Sequence, residues 1–297
     1  MGTTRHSPTR YLLNVRYCGR DFSTDELTQI RQLIGEDPTS SRAELSRLTC
    51  RVLGWYKADG GLKEMSARVA MLRMQEDGLI TLPPPRCKRP DPTIHITSRT
   101  DPGIPIEQPA GALTPLVLQR VQKKPDSRAW NEYIERYHYL GHKPLPGAQL
   151  RYLVYSGNQL IALLGFGAAA WQTAPRDCYI GWSHAQREKN LHLIVNNARF
   201  LILPWVKSKN LASMILAMAA RQLSDDWLAQ YNYRPVLMET FVEKQRFKGT
   251  CYKAANWRYL GQTKGRGKLG VSGKQSVPIK DLWVYSLSRA FRAHLTD

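Results

Sequence analysis

Acidic residues are scarce in this chain. Against 43 Lys and Arg stand only 24 Asp and Glu, a formal net charge of +19 over 297 residues, with a sequence pI near 9.9. An excess of that size costs self-repulsion in the folded state and is usually matched to a polyanion. Cysteines are few and unpaired by spacing: Cys18, Cys50, Cys87, Cys178 and Cys251 are odd in number and contain no CxxC. That pattern excludes a disulfide framework and a zinc-finger spacing. Long apolar runs are also missing. The best stretches, "LIALLGFGAAAW" and "ASMILAMAA", fall short of a membrane span. The opening "MGTTRHSPTR" is polar with no apolar run behind it, so no export signal is expected and a cytoplasmic location is. A membrane surface would call for a basic amphipathic helix, and none stands out. Nucleic acid, duplex DNA above all, is the expected partner.

What is present falls into three segments. Residues 1–86 read as helical. "STDELTQIRQLIGE" offers Ser23 or Thr24 as an N-cap with acids in the first turn, and Ser41 followed by Glu44 has the look of a capping box. In "GLKEMSARVAMLRMQEDGLI", Leu62, Met65, Val69 and Leu72 recur at helical spacing before Gly78 stops the run. A short apolar "LITL" follows as a candidate strand. Three helices and a strand make the pattern of a winged helix-turn-helix, with Lys63, Arg68 and Arg73 placed for groove or phosphate contacts. Residues 87–115, rich in Pro, Gly, Thr and Asp, read as a linker, with "TIHIT" able to add an edge strand.

Residues 116–297 read as mixed α/β. The expected order is a helix over "SRAWNEYIERYHYLG", a hairpin about Ser156–Gly157–Asn158, a short strand at "CYIGW" and an apolar strand at "ARFLILPWV". A long helix from "NLAS", a strand "PVLMETFV", a helical "TCYKAANW" and strands at "RYLGQTKG" and "DLWVYSLS" complete it. The fold class expected is therefore α+β, a winged-helix-like domain followed by a mixed α/β domain.

Four constellations could carry chemistry. From Lys244 to Lys274 there are nine Lys or Arg and no Asp or Glu, interleaved with Tyr252, Trp257 and Tyr259. Cations there can take phosphates and aromatic faces can stack on bases, which makes Lys253, Arg258, Lys264, Arg266 and Lys268 candidate DNA contacts. Trp257 and Tyr259 are expected to be packed. "GRGK" lacks the glycine spacing and the final Ser or Thr of a Walker A loop. The junction "ILPWVKSKNLAS" ends a strand at a helix start, an anion site in principle, with Asn210 or Ser213 as caps. His138 and His142 stand at i,i+4, the spacing of helix-borne metal ligands, but the helix ends there and a packed His138 or an acid–base role fits as well. Asp177 and Glu239 are charges set in apolar sequence, where a carboxylate serves as base, metal ligand or partner of an arginine such as Arg176.

Over roughly Trp130 to Tyr285, the run "YHYLG", "RDCYIGW", "NNARFLILPWV", "NLAS", "DW", "ETFV" and "GTCYKAANWRYLGQTKGRG" resembles the DruA family of Druantia anti-phage defence systems, whose relatives occur in or beside transposases. The N-terminal helices look like the family's leading domain. More distantly, the strand–helix–strand–helix–strand order is similar to a GNAT acyltransferase core, in particular to the phage DNA-modifying enzyme Mom with its "G-x-x-Y-x-A-x-N-W-x-Y-x-G" run. The GNAT likeness implies acyl-coenzyme A at the helix start near Asn210 and Ser213, Tyr252 near the reacting centre and a basic loop facing DNA. This chain departs from it in lacking a Q/R-x-x-G-x-G/A loop at that helix.

The leading expectation is a DNA-binding protein of a defence system or mobile element, with defence or transposon proteins as further partners. A DNA-acting enzyme is the alternative, by base acylation or by cleavage and strand transfer. Cleavage would place Glu239, Asp177 and His138 around a divalent metal or use Tyr252 as nucleophile. An RNA-binding or scaffold role is the third.

Overall fold

A computed structural model describes residues 14–86, 93–113, 115–265 and 275–297. The chain divides into two compact units, Met1–Pro92 and Thr93–Asp297.

The first unit opens with a hairpin, β1 (Val15–Tyr17) and β2 (Arg20–Phe22), followed by α1 (Thr24–Glu36), α2 (Arg42–Val52) and α3 (Glu64–Glu76). Ser23 caps α1 in a full capping box with Glu26, and the Ser41 hydroxyl accepts the Glu44 amide. The buried face of α3 is Ala67, Ala70, Met71 and Met74, one register away from the expected Leu62, Met65, Val69 and Leu72. Met65 is 64% exposed, because the small alanines let α2 and α3 approach and turn the longer side chains outward. No strand forms over Leu79–Leu82. Ile80 and Leu82 are buried, but the Leu82 amide is met by the Gln75 side chain rather than by a neighbouring strand. The hairpin thus precedes the helices, and the described residues of this unit hold no strand pair after α3.

The second unit begins inside the segment expected as linker. Residues 93–97 carry no strand; two 3-10 turns follow, Ser98–Thr100 and Ala110–Leu113. The Glu132 carboxylate, buried, accepts from the Thr97 amide and from the hydroxyls of Thr97 and Thr100, which ties the segment down. Next come β3 (Leu116–Arg120), α4 (Lys124–Tyr137), β4 (Leu150–Ser156), β5 (Gln159–Ala168), α5 (Ala174–Ile180), α6 (His184–Asn190) and β6 (Ile194–Ile202). The chain ends with α7 (Leu211–Tyr231), β7 (Leu237–Glu243), α8 (Thr250–Ala254), β8 (Arg258–Gln262), β9 (Lys280–Ser286) and α9 (Phe291–Thr296).

The strands form a seven-stranded mixed sheet in the order β3-β4-β5-β6-β7-β9-β8, all antiparallel except β6 with β7. Helices α4, α7 and α8 share the main core with Leu163, Phe166 and Met238, while α5 and α9 close a second core with Ile194, Leu237 and Val284. "CYIGW" is not the expected strand: α5 occupies it, started by Pro175 in the first turn and stopped by Gly181 at φ +82.

Candidate functional site

The parallel pair is short. β6 and β7 hydrogen-bond only through Ile194–Asn196 and Leu237–Glu239. Beyond that, β6 continues against β5 and β7 against β9, so the two strands part. A cavity of about 620 Å³ occupies the wedge, bounded by β6 and β7, the end of α4, the start of α7 at Ala212 and the start of α8. That volume lies in the range of small-molecule sites.

Tyr252 on α8 reaches the floor. Its hydroxyl donates to Asn197 Oδ1 at 2.9 Å, and Asn197 in turn donates to the Arg199 carbonyl at 3.1 Å. The Thr240 hydroxyl bonds the Asn197 carbonyl at 3.1 Å and lies 3.4 Å from the Tyr252 oxygen. Burial pushes the Tyr252 phenol well above its ordinary value, so it is a neutral donor at physiological pH. Gly249, the residue before α8, sits at φ +68 under Trp283, where an added Cβ would meet the indole at 2.8 Å. Only glycine combines that backbone with that approach.

His138, just past α4, also lines the cavity. Burial, with a contribution from Arg199, lowers its pKa to about 4. The Leu140 amide donates to its Nδ1 at 3.2 Å, which leaves the proton of the neutral ring on Nε2. Stacked on His138 is Tyr139, which meets Phe247 at 5.3 Å and lies under the Arg246 guanidinium at 5.3 Å. Both Tyr139 and Phe247 are substantially exposed.

Arg199 and Lys280 supply positive charge to the same cavity. Arg199 is 8% exposed, gives one hydrogen bond to the Ala198 carbonyl, and leaves its Nε without a partner. Burial draws the Lys280 ammonium below its ordinary value; Glu243 opposes this and Arg199 adds to it. Glu243 itself is held by Arg246 at 2.9 Å.

The two carboxylates singled out in the sequence lie elsewhere. Glu239 is fully buried, accepting from Arg176 Nη1 at 2.9 Å and from the Ala170 amide at 2.7 Å. Asp177 takes Arg176 at 2.9 Å, Arg187 at 3.6 Å, the Thr173 amide and the Trp182 indole. Both are committed to arginines, away from the cavity. No cluster of three His, Cys, Asp or Glu able to hold a metal occurs among the described residues, and these donor sets do not fit a divalent ion. Asn210 takes up a left-handed backbone and makes no side-chain cap, while the Ser213 hydroxyl bonds back to the Asn210 carbonyl.

Of the expected DNA contacts, Lys253, Arg258 and Lys264 are exposed along α8 and β8. Arg258 lies over the Tyr179 ring. Tyr259 is 46% exposed, against the expectation that it would be packed, because it covers only the rim of Trp283; Trp257 is buried. Arg266 and Lys268 fall outside the described residues. In the first unit Arg73 is exposed, Lys63 precedes α3, and Arg68 is engaged by Glu64 at 2.5 Å.

Sequence reasoning missed Arg199, Asn197, Tyr139, Phe247 and Lys280. The signal for Arg199 was a cation inside the apolar "NNARFLILPWV", the same kind of signal that drew attention to Glu239.

Comparison with known proteins gives the family. The family model for Druantia protein DruA matches residues 88–286. No curated protein matches the chain. Among solved structures, a Bacillus subtilis acetyltransferase in complex with CoA is 9% identical over 58% of this chain and 98% of its own, with a TM-score of 0.34. A spermidine N-acetyltransferase SpeG chimera from Vibrio cholerae is 13% identical over 59% and 96%, TM-score 0.39. A Drosophila melanogaster polyamine N-acetyltransferase is 11% identical over 58% and 99%, TM-score 0.36.

Proposed function

The chain belongs to the DruA family, and from that premise we propose that it is a DNA-binding protein of an anti-phage defence system or mobile genetic element. The observation that carries this reading is the set of exposed side chains on and just after α8 and β8, the cations Lys253, Arg258 and Lys264 and the ring of Tyr259, in a chain of net charge +19. Cations on α8 and β8 take phosphates, and Tyr259 offers a stacking face. The first unit, on the winged-helix reading of its three helices, would make phosphate contacts of its own through Lys63 and Arg73. Arg68 contributes less, being spent on Glu64. Other proteins of the same defence system or element are its further partners.

Binding is tested by fluorescence anisotropy of a labelled duplex across a salt series. We expect affinity to fall steeply, with about one logarithmic unit of slope per phosphate contact. Absent or salt-insensitive binding overturns the proposal. Equal-length RNA and single strands in competition separate duplex DNA from an RNA-binding role.

The cavity favours a second reading, an enzyme that modifies DNA. It brings His138 and Tyr252 to one space while leaving Glu239 and Asp177 out, which favours group transfer over metal-assisted cleavage. The neutral Tyr252 hydroxyl fits a proton donor and not a nucleophile. If acyl-coenzyme A is the donor, the start of α7 at Leu211 and Ala212 with nearby Lys207 and Lys209 would hold its phosphates. Coenzyme A would supply the acyl group, and Tyr252 and His138 would orient the acceptor. Intact-mass measurement of duplex and single strands incubated with the protein and acetyl-coenzyme A tests this. A discrete mass gain supports it, and unchanged strands that bind the protein leave DNA reading alone.

A further inference from the structure

Among the described residues, Arg199 is a buried charge without a counter-ion. It is nine-tenths buried in the cavity wall, and no carboxylate pairs with it among the described residues. Its Nε is buried and unpartnered, and one hydrogen bond to the Ala198 carbonyl uses a single donor of the five a guanidinium carries. Lys280, at the start of β9, lines the same cavity and senses the Arg199 charge. Glu243, the cross-strand neighbour of Lys280, is shared with Arg246. Two cations facing one cavity repel each other and are costly to desolvate; Glu243 offsets part of this for Lys280, and Arg199 is left with no carboxylate to justify its burial. Phe247, 48% exposed, presents an aromatic ring to the same cavity, while Tyr139 is covered by His138 and by the Arg246 guanidinium.

We propose that Arg199 and Lys280 form an anion site that binds the phosphate of a nucleotide, with the base carried against Phe247. Arginine presents a planar fork that matches phosphate oxygens, Lys280 adds a point charge, and the Phe247 ring gives a sequence-tolerant stacking surface. A cavity of about 620 Å³ has room for one such unit. The choice of a nucleotide rests on the nucleic-acid reading above. Its source is either a free nucleotide or a residue extruded from a strand, and the chemistry recognised is the same.

The test is calorimetric titration of the full chain with deoxyadenosine monophosphate and with deoxyadenosine. The monophosphate should bind at least tenfold more tightly than the nucleoside. Arg199→Gln should erase that advantage, and Arg199→Lys should restore part of it. A thermal melt guards against misfolding: without ligand, Arg199→Gln should melt no lower than the parent, since it relieves an unpaired charge. Equal binding of nucleotide and nucleoside, no nucleotide binding at millimolar concentration, or an Arg199→Gln protein that melts well below the parent overturns the proposal. Competition by a short single-stranded oligonucleotide assigns the source to a strand, and its absence to a free nucleotide; both uphold the site. If duplex DNA fails to bind while the monophosphate still depends on Arg199, the DNA-binding reading falls and the anion site stands.

Discussion

Arg176 and Arg199 are both buried in the second unit, and they are housed in opposite ways. Arg176 is fully enclosed and fully answered: Glu239 and Asp177 take its charge, and the Ala170 carbonyl takes a further donor. Arg199 has a single backbone acceptor and faces a cavity. A buried cation surrounded by carboxylates is a piece of architecture whose loss leaves its partners stranded. One left unanswered is kept for something that arrives later. The contrast separates the two candidate regions of the sheet more sharply than residue type does, since by residue type the Glu239 region looked the more chemical.

The largest effect should come from breaking the answered side. Glu239→Leu leaves Arg176 buried with half its partners and should cost about 3–5 kcal/mol, read as a fall in the urea midpoint. Next is the pH response of the cavity side. His138 has a folded pKa near 4 against an ordinary 6.5, so the unfolded chain takes up the proton first. Stability from this group is therefore complete above about pH 6.5 and is lost as pH falls toward 4, amounting to roughly 3 kcal/mol at most. Urea titrations at pH 7 and pH 4.5 should differ less in His138→Gln than in the parent. His142, also lowered chiefly by burial, acts in the same direction. Arg199→Leu sharpens the comparison by its sign, with a gain of about 1 kcal/mol expected where Glu239→Leu loses several. The smallest effect lies on the surface: Lys253→Gln should leave stability alone and reduce the salt slope of duplex binding by about one unit.

Much of this was legible in the sequence because it depends on neighbours in the chain. The N-cap at Ser23, the turn at Gly157 and the long helix from "NLAS" rest on signals within a few residues of the element they specify. α5 was misread because its aromatic "CYIGW" carries strand-forming residues, while the deciding Pro175 and Gly181 sit at its ends. α3 was placed correctly but rotated, since alanines at Ala67 and Ala70 give no hydrophobic weight to the face they bury. Neither the cavity nor the different fates of Glu239 and Arg199 could be seen. Both depend on where β6 and β7 part, and those strands are joined through α7, far apart in sequence.

That short parallel junction also bears on how the unit assembles. β3 to β6 are neighbours in both sheet and chain, so one side can condense from comparatively local pairings. β7, β8 and β9 form their own antiparallel group, and three residue pairs stitch the two halves together across a 21-residue helix. Loop closure over that distance costs more chain entropy than the turns between β4 and β5, and few residue pairs repay it. The space between the halves is thus expected to take shape after the hairpin it borders.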